Sequence, residues 1–393
     1  MLRRKKMFIT SKRAISNILA AAIIIVVIVV AIVGVAIAIP SLSKTVTTTA
    51  TSTSIVTTTT SSTKPTSSIK LALLVGGDAT DDGLNDQGIQ VANWIASTYG
   101  WTVSISTDVA YSDQQAVMTS YAQEGYNVIW TDGNQFIGAT ETVAAQFPHT
   151  YFIMTPTYDG DTQCGSAYTG LCSNIVALSA GNQATGYYQA GVLAGKMTKT
   201  NATGVIIGQW FTALSLEFYA YSAGVHASNP SAKTYLTVPG TWSDPTIGYT
   251  DAQTMVKTDD VDILVPIADT TGLGVISYAT ANNITLIGTV LDQVVLSPTD
   301  MMTSVLLNMT AFIQPVVNHI NAGTWSQIGG KVEDLNLGSL GPFHNYASKI
   351  PASVTALLAT TSEGINDGTI KVPFTYTPSA PTCPSSNFTK YGC

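Results

Sequence analysis

From residue 70 onward, short apolar runs alternate with helix-length amphipathic segments, and this alternation sets the fold class. Strand-like runs lie at 71–75, 102–106, 127–130, 151–154, 175–178, 204–207, 233–238, 263–267 and 285–288. Between most of them lie helical patterns at 87–98, 113–123, 138–146, 186–197, 215–227, 245–257 and 273–282, with a further one at 301–321. Strands separated by helices of this length form βαβ units and a parallel sheet. Nine such runs in a chain of 393 residues predict an α/β protein with two doubly wound parallel-sheet lobes rather than one sheet. After residue 324 the pattern loosens into Gly-rich segments, a last helix near 353–366 and a Pro/Ser/Thr tail from 375.

The first unit, 70–90, places a ligand edge. Its apolar run reads as a strand buried on both faces. It breaks at Gly76-Gly77, crosses a polar loop with Asp78, Asp81, Asp82, Asn85 and Asp86, and enters a helix near Gly88. Such a loop lies at the carboxyl edge of the sheet, where helix N-termini and free backbone amides converge on ligands.

Everything before residue 68 reads as delivery and tethering. Residues 1–13 are basic, and 18–39 form 22 consecutive apolar residues, enough for a spanning helix. The basic flank predicts that the remainder lies outside the cell. The wording KRAISNILAAAIIIVV resembles archaeal class III (prepilin-like) signals, which implies cleavage between Arg13 and Ala14 with the helix at 14–40 retained. Residues 41–68 carry 20 Ser or Thr and read as a solvated stalk. Sequons at Asn201, Asn283, Asn308 and Asn387 are compatible with glycosylation outside the cell.

Charge narrows the partners. Only 10% of residues are charged, and no arginine follows Arg13. Arginine is the usual clamp for phosphates and carboxylates, so nucleic acid is excluded as a partner and an anionic small ligand is disfavoured. The calcium-loop-like start at Asp78 lacks its closing Glu, which is Ile89 here. His149, His226, His319 and His344 are scattered, and there is no nucleotide, nucleophile or metal motif, so neither an enzyme class nor a cofactor emerges. Four cysteines fall as two close pairs, Cys164 with Cys172 and Cys383 with Cys393, and read as two local disulfides.

Polar and aromatic residues gather instead at strand ends: Asp78 and Asn85, Asp132 and Asn134, Trp210, Trp242, Asp269 and Gly272, and Asp292. Any one of them is an ordinary strand terminator. Together they describe a shared cleft whose carboxylates and amides hydrogen-bond a neutral ligand while Trp242 or Trp210 stacks on a planar or sugar face.

Six segments, DDGLNDQG (81–88), AGVLAGKMTKT (190–200), AGVHASNP (223–230), GTWSDPTIG (240–248), TGLGVISYA (271–279) and LIGTVLDQ (286–293), stand in a shared order and spacing. On them, from residue 71 to about 340, the chain resembles the basic membrane protein family of ABC-transporter solute-binding proteins. The resemblance implies a type I periplasmic-binding-protein fold, with two lobes joined by three crossovers and a purine-nucleoside-like ligand enclosed between them. Asn85 and Trp242 match binding positions of the family, and Asp292-Gln293 match the end of its D-x-D-Q. Leu84 stands where the family has a stacking aromatic, Val290 where it has an Asp, and Asp78 is the nearest substitute for its Asp after the first strand. Lobe 1 is expected over 69–178, completed by about 293–325, and lobe 2 over 179–292, completed by about 326–374. The expected partners are a small ligand, an ABC permease with its ATPase, and the membrane. A surface structural or adhesion protein and a sensory receptor on the same fold are the alternatives.

Overall fold

The computed structural model describes residues 68–157, 164–165, 170–179, 183–334 and 338–373. The basic leader, the apolar segment, the stalk up to 67, and Cys383, Cys393 and Asn387 lie outside the described residues. No helix among the described residues is long and apolar enough to cross a membrane.

Strands β1 (Lys70–Val75), β2 (Thr102–Ser106), β3 (Val128–Asp132), β4 (Tyr151–Thr157) and β5 (Ile175–Ser179) come first in the chain. Strands β6 (Ala202–Ile207), β7 (Lys233–Thr237), β8 (Ile263–Ile267), β9 (Thr285–Val290) and β10 (Met301–Leu307) follow, and β11 (Lys331–Asp334) and β12 (Gly338–Leu340) end the series. They form two six-stranded sheets, ordered β11-β5-β4-β3-β1-β2 and β12-β10-β9-β8-β6-β7. Every pairing is parallel except β10 with β12. In each sheet the strand order reverses beside the first strand, which opens a crevice at the carboxyl ends. The first strand of each half, β1 and β6, is almost wholly buried, as expected of strands covered by helices on both faces.

The helices are α1 (Leu84–Tyr99), α2 (Gln114–Gln123), α3 (Ile137–Ala144), α4 (Gln183–Met197), α5 (Thr212–Ser228), α6 (Pro245–Asp259), α7 (Asp269–Asn282), α8 (Met309–Ala322) and α9 (Ala352–Asn366). The chain passes between the sheets three times: from β5 to α4, from β10 to α8 through Asn308, and from β11 to β12. This is the two-lobed type I arrangement.

The segment 301–321, which reads as one helix, is in fact a strand followed by a helix. Met302 and Val305 of β10 belong to the core of the second lobe, whereas Phe312, Ile313 and Val316 of α8 share a core with Leu71, Leu73 and Trp130 of the first. A short apolar run such as MMTSVLL carries no period that separates strand from helix. Within the stretch expected to complete lobe 1, β10 therefore joins the second sheet. Within the stretch expected to complete lobe 2, β11 joins the first.

The second lobe is built on a close helix pair. A Cβ at Gly191 of α4 would strike the Tyr221 carbonyl, and one at Gly224 of α5 would strike the Tyr188 carbonyl. Glycine at both sites lets the two backbones meet, which buries Tyr187, Phe218 and Tyr221 completely.

Candidate functional site

The strand ends of the two lobes face each other across a small cavity of about 50 Å³. Its first-lobe wall is the turn after β1. Asp81 is buried and accepts four hydrogen bonds: from the amides of Gly83 (3.0 Å), Asn85 (3.3 Å) and Asp86 (3.0 Å), and from Asn85 Nδ2 (2.6 Å). These are orphan donors of the first turn of α1, so Asp81 caps that helix from inside the protein. Burial raises the Asp81 carboxyl, and the four donated bonds oppose the rise.

Asn85 acts as a strut between turn and lobe. Its Oδ1 accepts the Gly77 amide at 3.2 Å, and its Nδ2 reaches Asp81 and also Asp269 Oδ2 of the second lobe at 3.2 Å. Glycine at 76 and 77 leaves room for the side chains of Gln135 and Asn85, which a Cβ would strike. Two more bonds cross between the lobes: Gln293 Nε2 to the Asp82 carbonyl at 2.8 Å, and Gln87 Nε2 to the Leu307 carbonyl at 2.5 Å.

The second-lobe wall differs in kind. Glu217 of α5 and Tyr187 of α4 are buried, line the cavity and stand beside each other, and neither Glu217 Oε2 nor the Tyr187 hydroxyl has a partner of good hydrogen-bond geometry. Burial pushes the Glu217 carboxyl up to about 8; the Tyr187 hydroxyl beside it opposes the shift and the Asp269 charge adds to it. Asp269, partly exposed at the cavity wall, is raised by burial and by the charge of Asp81. Its backbone sits at φ 45°, and Val290 on the same wall sits at φ 67°. The Leu291 amide reaches the Thr289 carbonyl at 2.8 Å across Val290. That γ-turn holds a β-branched residue in the left-handed region, a strained arrangement kept by the Gln293 side chain, whose Oε1 accepts the Thr289 amide at 2.9 Å.

Of the residues singled out from sequence, Asn85, Asn134, Trp242 and Asp269 line this cavity. Asp132 lies behind the wall. Its Oδ1 accepts from Thr155 (2.8 Å), its Oδ2 is unpartnered, and burial holds its carboxyl well above the ordinary range. The other four stand away from the cavity lining. Asp78 is exposed and binds the amide and hydroxyl of Thr80, which lower its pKa. Trp210 packs edge-on against Phe218. Gly272 lies one turn into α7, its amide on the Ala268 carbonyl. Asp292 meets His344 at 2.6 Å and borders a separate groove with Trp94 and Asn308.

Glu217 and Tyr187 escape the strand-end rule because they sit within helices. The sequence does carry a signal for Glu217: it is the one charged residue in the segment TALSLEFYAYSAGV.

Cys164 and Cys172 form a disulfide. Asn201, Asn283 and Asn308 are all exposed, and Asn308 Oδ1 caps α8 through the Ala311 amide at 3.1 Å.

Known proteins resemble this arrangement. Residues 68–338 match a family described as ABC transporter substrate-binding protein, PnrA-like. Basic membrane protein B of Borrelia garinii subsp. bavariensis is 25% identical over 281 residues, covering 69% of this chain and 79% of that protein. The ABC transporter nucleoside-binding protein BmpA of Lactococcus lactis subsp. cremoris is 25% identical over 231 residues, 56% of this chain and 61% of its own. A solved solute-binding protein of an ABC transporter system from Aeropyrum pernix superposes with a TM-score of 0.66 at 19% identity, over 78% of this chain and 94% of its own, a likeness of fold. Family and fold are those of substrate-binding proteins, not of enzymes.

Proposed function

Since this chain belongs to the PnrA-like family of ABC transporter substrate-binding proteins, we propose that it captures a nucleoside between its lobes and delivers it to an ABC importer. The observation that supports this reading is the cavity enclosed by both lobes, with Trp242 on one wall and Asn85 and Asn134 on the other. A planar base stacks on an indole, and amides satisfy its ring edge and the sugar hydroxyls. A ligand touching both walls favours the closed lobes, because its contacts exist together only there. The hydrogen bonds of Asn85, Gln293 and Gln87 across the lobes add to that closed state. Residues 14–40 would keep the protein at the outer face of the membrane, with the stalk giving it reach to the permease.

Isothermal titration of the full-length chain in detergent against a nucleoside panel tests this reading. Saturable binding is expected for at least one nucleoside. Absence of binding by any of them at millimolar concentration would rule out this class of ligand.

A further inference from the structure

The second-lobe wall presents more negative chemistry than a neutral ligand requires. No Lys, Arg or His is among the described residues lining the cavity. The charged groups acting on Glu217, Asp269 and Asp132 are all carboxyls: Asp269 on Glu217, Asp81 on Asp269, and Asp269 with Asp81 on Asp132. Asp81 is already saturated by four donors from α1 and its leading turn. Glu217 Oε2 is not, and neither is the fully buried Tyr187 hydroxyl beside it, although both border the cavity. A buried polar atom without a partner costs free energy, and with Asn134 Oδ1 of the first lobe three such atoms border the cavity, which marks where a ligand's donors belong; of the three, Glu217 Oε2 is the one on an ionisable carboxyl. The Trp242 ring on the same wall adds a face that attracts cations.

We propose that the cavity prefers a ligand bearing a positive charge, and that Glu217 and Asp269 of the second lobe receive that charge. The proposal takes its scaffold from the nucleoside reading and adds the charge. Chemically the class is a nucleoside with a cationic base or an amine-bearing sugar. Two carboxyls that face one small space repel each other when both are ionised, and a cation between them removes that repulsion. Burial keeps protons on these carboxyls near neutrality, so a cation entering the cavity displaces protons into solution. The titratable groups facing the pair are Asp81 before α1, Asp132 at the end of β3 and Tyr187 on α4.

Matched probes test this on the full-length chain in detergent. Adenosine is compared with adenosine methylated on its base so that it is a cation. Tryptamine is compared with its neutral alcohol analogue as a scaffold-independent pair. The cationic member of a pair is expected to bind about tenfold or more tightly, the value of one charge-assisted hydrogen bond. Its binding heat should also vary with the buffer's ionisation enthalpy, which reports proton release. Glu217→Gln should bring the ratio to within about twofold, whatever it does to adenosine itself, and Asp269→Asn serves if that variant does not fold. Equal or tighter binding of the neutral members in both pairs overturns the proposal. So does a cation preference that survives both substitutions. Failure of both nucleosides with a preference kept for tryptamine overturns the nucleoside reading and leaves the charge assignment standing. No binding of any probe overturns both.

Discussion

The two walls of the cleft reach similar burial by opposite means. On the first lobe, Asp81 gathers the amides of Gly83, Asn85 and Asp86 and the Asn85 side chain into one hydrogen-bonded set within a single turn. On the second lobe, α4 and α5 meet backbone to backbone at Gly191 and Gly224, and that packing brings Tyr187 and Glu217 to the cavity without partners. The turn before α1 is satisfied largely from within, whereas Glu217 Oε2 and the Tyr187 hydroxyl on the second wall, like Asn134 Oδ1 on the first, are left without partners. A closed hydrogen-bond network positions a surface, whereas unsatisfied groups held by close packing make it selective.

The largest expected effect is on pH stability, because it sums the raised carboxyls of both walls. Glu217 at about 8, and Asp269, Asp132 and Asp81 above the ordinary range, all hold protons in the folded protein that the unfolded chain has released. A folded state binding more protons than the unfolded state loses stability as pH rises. This contribution is therefore complete below about pH 4 and fades by about pH 8, a change on the order of a few kcal/mol. Urea denaturation across that range measures it. A protein that gains stability between pH 4 and 8 would contradict the picture of a wall waiting for charge.

Next comes the packing on which the second wall depends. Gly191→Val places two methyl groups and a Cβ against the Tyr221 carbonyl, where α5 has no room to yield. A loss of about 3 kcal/mol in unfolding free energy is expected, together with weakened ligand binding. Gly100→Ala, at a helix end with open space around it but φ 70°, is the control for a glycine that matters only for backbone conformation. It should cost about 1 kcal/mol and leave binding unchanged. Equal effects from the two changes would mean that the α4–α5 contact does not hold the wall.

The same contrast governs what could be read from the sequence. Alternation gave the two lobes, and the strand-end rule found Asn85, Asn134, Trp242 and Asp269, all of which line the cavity. That rule also took in Asp78, Trp210, Gly272 and Asp292, since a strand-end residue can turn toward its own loop as easily as toward a cleft. Strands β11 (KVED) and β12 (GSL) are too short to show a period, and β10 merges with α8 because both are apolar. Tyr187 and Glu217 face the cavity through a helix–helix contact made by glycines 33 residues apart in sequence, 191 and 224, and no local pattern reports such a contact.

The smallest effects separate two aspartates three residues apart. Asp81 and Asp78 follow the same strand, and from sequence Asp78 is the more prominent. In the structure Asp81 is 1% exposed and carries four hydrogen bonds, whereas Asp78 is exposed and serves only Thr80. Asp81→Ala strands three backbone amides and the Asn85 side chain, so a loss of about 2 kcal/mol is expected. Asp78→Ala removes one exposed turn bond and should stay within about 0.5 kcal/mol. Ligand titration of the same variants sharpens the result. Asp81→Ala should weaken binding by freeing Asn85 from its orientation, and Asp78→Ala should leave it unchanged. If Asp78→Ala weakened binding more, the first wall would extend beyond the turn described, and its hydrogen-bond network would not be the part that sets the geometry of the cleft.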